Sequence, residues 1–173
     1  MVASNFTRAL AAVRQDEGGN DDDKQDHGGR TSRGITQREY DAFRSLKDMA
    51  SADVWQASDA EIDAIYHDSY WEPWGDKFPV GIDYLYFDMA VNAGPHRAVV
   101  LLQRALGVAD DGQIGVITLA ALSKADPASL IASYSTAKKN FYKSLNQPRF
   151  TRGWLNRVDH VQSIATSMLT GGN

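Results

Sequence analysis

Three residues near the start of the chain are of types that can cut an acetal bond: Glu17, Asp26 and Thr31. Glu17 lies seven residues after Leu10, nearly two helical turns, on the side that carries Phe6, Leu10 and Val13. A carboxyl on the apolar side of a helix end is costly when ionised, so its pKa is expected to rise. A carboxylic acid still protonated near neutral pH can protonate the leaving oxygen of a glycosidic bond. The Gly18-Gly19 pair that follows leaves room for a bulky substrate. Asp26 and Thr31 supply a second carboxylate and a hydroxyl, able to hold or activate a water or to stabilise an oxocarbenium-like transition state. Each residue also has a plainer reading. Glu17 suits an exposed helix C-terminus, and Asp26 suits a turn before Gly28-Gly29. Thr31 suits a strand or turn hydroxyl.

The elements that must position these groups read as mostly helical. Ser4 or Asn5 can cap a first helix that stops at Gly18-Gly19. Residues 20–36 are polar and glycine-rich and predict a long loop or small β-hairpin. Thr36 with Glu39, and Ser58 with Glu61, are capping boxes that open two more helices. Tyr66 lies on the apolar stripe of the second. The run from Gly81 to Ala93 is apolar on nearly every side, which marks a helix buried all round. It stops at Asn92-Ala93-Gly94-Pro95. Helices are expected at about 96–106, 118–124, 127–145 and 153–169. The expected architecture is mainly α, one compact α-helical domain over 1–173, with a small β-hairpin or loop element near residues 20–36.

Composition narrows the function. The 173 residues carry a net charge of −4, which gives no general reason to bind nucleic acid. The absence of cysteine removes disulfides, thiol nucleophiles and Cys-ligated metals. The aspartates around His27 lack the alternating spacing of a calcium loop, so no metal is expected. No phosphate loop, dinucleotide fingerprint or Ser/His/Asp arrangement is visible, and no cofactor is expected. The N-terminus lacks the apolar run of a signal peptide, so the expectation is synthesis in a cytoplasm, with any outside target reached after release.

Tyr66, Tyr70, Trp71 and Trp74 fall within nine positions. Aromatic faces stack on the C–H faces of sugars, so all four are candidate glycan contacts. Tyr66 and Tyr70 also fit a core stripe, whereas Trp71 and Trp74, beside Pro73 and Gly75, are the better cleft candidates. Asn92 can hydrogen-bond an N-acetyl group or hydroxyl, or simply cap its helix. Lys138, Lys139, Lys143, Arg149, Arg152 and Arg157 form an acid-free basic stretch over 138–157. It is either a solvated helix face or a weak contact for anionic membrane or lipopolysaccharide.

In order, Glu17-Gly18-Gly19, Asp26, Gly28-Gly29, Thr31 and Gly34-Ile35-Thr36 resemble the signature of glycoside hydrolase family 108. The likeness continues through Phe87 to Pro95, Leu102 to Gly107, Asp111 to Gly115, Thr118 to Leu122 and Gly153 to Val158. The resemblance implies a lysozyme-like N-acetylmuramidase, many of which are phage endolysins. It implies cleavage of the β-1,4 bond between N-acetylmuramic acid and N-acetylglucosamine. Glu17 would be the acid, with Asp26 and Thr31 supporting it. Phage-type lysozymes keep a Glu, an Asp and a Thr at similar spacing, although four residues separate Asp26 from Thr31 here where those enzymes typically have five. Residues 1–75 would form the catalytic lobe and 76–173 a lobe resembling a peptidoglycan-binding region. The implied partner is the peptidoglycan glycan strand, and the expected state is a monomer. A lytic transglycosylase, a non-catalytic peptidoglycan-binding module and a secretion-linked structural protein are the alternatives.

Overall fold

Capping chemistry and apolar periodicity set the helices of the computed structural model, which describes residues 5–16, 20–21 and 30–171. Glu17, Gly18, Gly19, residues 22–29 and Ser4 lie outside the described residues. The chain forms two compact units, Phe6–Glu72 and Pro73–Asn173 with Met1–Asn5.

In the first unit, α1 (Phe6–Asp16) buries Ala9, Leu10 and Val13, one stripe at helical spacing. Three two-residue strands follow: β1 (Asn20–Asp21), β2 (Thr31–Ser32) and β3 (Ile35–Thr36). They form an antiparallel sheet in the order β1-β2-β3, with Asp21 opposite Thr31 and Ser32 opposite Ile35. Both capping boxes are present. Thr36 opens α2 (Gln37–Leu46), and Ser58 opens α3 (Asp59–Tyr66). Between these helices lies a 3-10 turn, Val54–Gln56, capped by Asp53. After α3 the backbone widens into a π-helical turn, His67–Trp71, closed by Glu72 N–H donating to the His67 carbonyl at 2.9 Å. The sequence pattern gave no sign of this turn.

The second unit is built round α4 (Ile82–Ala93), in which every residue from Ile82 to Ala90 is buried. Around it pack α5 (Pro95–Leu106), α7 (Pro127–Ser144) and α8 (Pro148–Leu169), while α6 (Val116–Lys124) lies against α5. Gly81, at φ +86°, starts α4 where a Cβ would stand 2.8 Å from the Ala165 carbonyl oxygen of α8. Only glycine allows both that conformation and that approach. The last helix begins at Pro148, five positions before the expected Gly153. Proline is well suited to a first helical position, and Gly153 is absorbed into the helix interior.

Three of these helices meet on one buried carboxylate. Asp88 of α4, 2% exposed, receives Lys138 Nζ from α7 on Oδ2 and the Arg157 guanidinium from α8 on Oδ1, at 2.9 and 3.1 Å. Burial alone would raise the Asp88 pKa, but the two facing cations hold it below its ordinary value of 3.8. Lys138, fully buried, is pushed down by its desolvation, against the pull of Asp88. Removing one partner strands a charge in the interior. We expect Asp88→Ala to cost about 3–5 kcal/mol in chemical denaturation. In the unaltered protein, the contribution of Asp88 is present above pH 3.8. It is lost as the pH falls through the lower folded value.

Candidate active site

The sheet that carries Thr31 is very short, so it is held from outside. Arg33 and Gly34 form a two-residue turn between β2 and β3, both with positive φ, at +50° and +81°. This is the backbone demand of a type I′ hairpin, and its twist matches that of the strands it joins. Gly34 meets the demand without strain, and Arg33 is held in place by its contacts. Its carbonyl accepts a hydrogen bond from Tyr66 Oη at 2.9 Å. Its guanidinium donates to the Ala57 carbonyl and pairs with Asp59, at the start of α3.

The rest of β2 is held in the same way. The Thr31 carbonyl accepts from Trp55 Nε1 at 3.0 Å. The Arg30 guanidinium lies 4.0 Å over the Trp55 ring and pairs with Asp53. The Arg30 carbonyl accepts from Gln37 N–H at 2.8 Å, and the Gln37 side chain binds Val54 N–H and the Ala52 carbonyl. Ser32 and Ile35 point into the core, while Thr31, on the other face of the strand, is half-exposed.

The aromatic candidates take different positions. Tyr66 is fully buried, and its hydroxyl is the one on the Arg33 carbonyl. Trp71 is also fully buried, edge-on to Phe6 at 5.5 Å, and not on a cleft wall as its neighbours Pro73 and Gly75 suggested. Tyr70 is half-buried and donates to Glu39 Oε1. Glu39 uses its other oxygen to close the capping box with Thr36, so one carboxylate ties the π-helical turn to the end of β3. π-turns are recurrent at functional sites, and this one sets the direction of Tyr70.

In the second unit Trp74 is half-buried, with Lys77 Nζ 4.8 Å over its ring. Asn92 is exposed at the last turn of α4. Its Nδ2 donates to the Asp88 carbonyl at 2.7 Å, which leaves its amide oxygen as the free acceptor. Glu17 and Asp26 fall outside the described residues. In chain order Glu17 follows the last residue of α1, and Asp26 lies in the connection from β1 to β2.

The half-buried carboxylates described in the first unit all serve the structure. Glu39 caps α2 and holds Tyr70. Asp53 caps the 3-10 turn and pairs with Arg30. Asp63 pairs with Arg14 of α1. Glu61 caps α3 and accepts from Tyr40 at 3.0 Å and Arg44 at 2.7 Å. The Ser58 backbone bond holds the Glu61 carboxyl below its usual range, while desolvation raises the Tyr40 phenol. A depressed carboxyl is a poor proton donor at neutral pH.

Residues 10–94 match the family model described as glycosyl hydrolase 108, and residues 97–159 match one described as "Predicted Peptidoglycan domain". A solved structure of Brucella abortus SagA is similar over 95% of both chains, with 34% sequence identity and a TM-score of 0.80. The chain belongs to the glycosyl hydrolase 108 family. No curated protein matches it. As a member of that family it is a glycoside hydrolase, a peptidoglycan-cutting muramidase with a mainly α, lysozyme-like fold.

Sequence reasoning found the capping boxes, but it did not single out Arg33 or Glu39 as the residues that hold the hairpin. The Arg33-Gly34 pair before Ile35-Thr36 was the available signal, because a glycine in a two-residue connection marks a hairpin turn. Tyr66→Phe removes the hydrogen bond to the turn without leaving a cavity. We expect it to cost about 1 kcal/mol in urea denaturation, because a part-buried carbonyl loses its donor. KM should stay unchanged. A raised KM with unaltered stability would place Tyr66 on the substrate instead.

Proposed function

We propose that Glu17 is the catalytic acid of this muramidase, protonating the bridging oxygen between N-acetylmuramic acid and N-acetylglucosamine. Asp26 and Thr31 act with it, positioning water or stabilising the positive charge that develops on the sugar. The observation that carries this assignment is how the neighbouring acids are used. In the described part of the first unit, each half-buried carboxylate is committed to a cap or a cation. The family match over residues 10–94 includes Glu17, Asp26 and the anchored hairpin.

Tyr70, Trp74 and Asn92 are proposed as glycan contacts, on the grounds of their partial or full exposure and their chemistry. Tyr66 and Trp71 support the site from the core. In this reading residues 1–75 carry the chemistry and 76–173 recognise the wall, and the enzyme acts as a monomer. We further propose an endolysin role, with synthesis in the cytoplasm and action on the wall after release. That role is supported by the resemblance of Glu17-Gly18-Gly19 and the motifs after it to a family rich in phage lysins.

One digestion experiment tests these assignments. Isolated cell walls, and whole cells with and without a permeabilised inner membrane, are treated with the unaltered enzyme and with Glu17→Gln, and the muropeptides are analysed by mass spectrometry. Release of reducing-end muropeptides is expected from the unaltered enzyme. Its loss by about 10³-fold is expected in the variant. When the protein is expressed in the cytoplasm, cells should release muropeptides only after permeabilisation. Anhydro products would mark a transglycosylase, and undiminished release by Glu17→Gln would refute the acid assignment.

A further inference from the structure

The basic stretch over 138–157 does not form one face. Lys138 and Arg157 turn inward to Asp88, and Lys139 pairs with Asp159. The exposed cations left are Lys143, Arg149 and Arg152, where α7 turns into α8. Lys143 and Arg152 line a groove of about 670 Å³, together with the side chains of Asn146, Gln147, Thr151 and Asn156. That volume lies within the usual range for ligand sites. Asp159 also lines the groove, and its carboxylate is paired with Lys139.

The corner is built to keep its shape. Trp154 of α8 stacks on Tyr142 of α7 at 5.3 Å and on Phe150 at 5.8 Å. Asn146, at φ +56°, makes the turn between the helices. Side chains on such a frame lose less entropy on binding than those on a loose loop.

The chemistry of the groove selects among the components of a cell wall. A strand of N-acetylated sugars is neutral and has no charge for two cations to meet. The stem peptides attached to that strand carry carboxylates and a run of amides. Lys143 and Arg152 complement the first, and Asn146, Gln147 and Asn156 complement the second. The groove also lies within the stretch that matches the peptidoglycan domain.

We propose that the α7–α8 groove binds the carboxylated stem peptides of peptidoglycan and so holds the enzyme on the wall. The proposal rests on the muramidase reading only in taking the wall as the target. The test is cold, brief co-sedimentation of the full-length protein with insoluble cell-wall sacculi, with chitin as an insoluble, uncharged strand of N-acetylated sugars, and with vesicles of equimolar phosphatidylcholine and phosphatidylglycerol. The unaltered protein should sediment with intact sacculi and poorly with the other two. Lys143→Glu with Arg152→Glu should weaken retention by about tenfold, with an unchanged melting curve. Lys143→Arg with Arg152→Lys should retain it. Equal retention of the charge-reversed protein, equal binding to chitin, or stronger binding to vesicles would overturn the proposal. Sedimentation does not require bond cleavage, so failure of the muramidase reading would show separately, as undigested sacculi with wall binding intact.

Discussion

The arrangement of the first unit depends on one small constraint, the turn Arg33-Gly34 with both residues at positive φ. Strands of two residues make too few hydrogen bonds to hold their own register. The turn is kept in place because α3 grips it twice, by Tyr66 Oη on the Arg33 carbonyl and by Asp59 on the Arg33 guanidinium. Register then follows, and with it which of Thr31 and Ser32 faces the core. A slip of one residue would bury Thr31 and expose Ser32. The carboxylates Glu39, Asp53 and Glu61 belong to the same scheme. They are committed to helix caps and cations within the first unit.

The second unit solves a different problem. Its central helix α4 is surrounded by apolar side chains, yet it carries Asp88 in the interior. A buried carboxylate between two cations from two other helices gives no assurance of extra stability, since desolvation offsets much of the attraction. What it supplies is geometry. Only one rotation of α4 between α7 and α8 lets Asp88 meet both Lys138 and Arg157. The same rotation presents the Asn92 amide oxygen to solvent, one turn further along. The pairing also removes two cations from the surface, leaving the α7–α8 corner as a compact basic patch.

Much of this was legible in the residues. The capping boxes at Thr36 and Ser58, the all-round apolar run ending at Gly94 and the polar hairpin segment each rest on local chemistry. Local chemistry is what a sequence shows directly. The features that were not legible depend on contacts distant along the chain. Nothing near Lys138 announces Asp88, fifty positions away, and so the basic stretch read as one face. Trp71 looked like a cleft residue because Pro73 and Gly75 stand beside it, but the π-helical turn rotates it into the core against Phe6. The start of α8 was expected at about Gly153, whereas the favourable first position of Pro148 starts the helix earlier, and a long packed face carries it through that glycine.

In the proposed mechanism, the hairpin grip sets the geometry of the chemistry and not only the stability of the fold. It is tested most directly by steady-state turnover of solubilised peptidoglycan by Arg33→Gln, a variant that weakens the grip and leaves every proposed catalytic group in place. The variant is expected to stay helical by circular dichroism, with kcat lowered roughly tenfold to a hundredfold and KM little changed. A variant with unaltered kcat, despite faster hydrogen exchange in the hairpin amides, would contradict it.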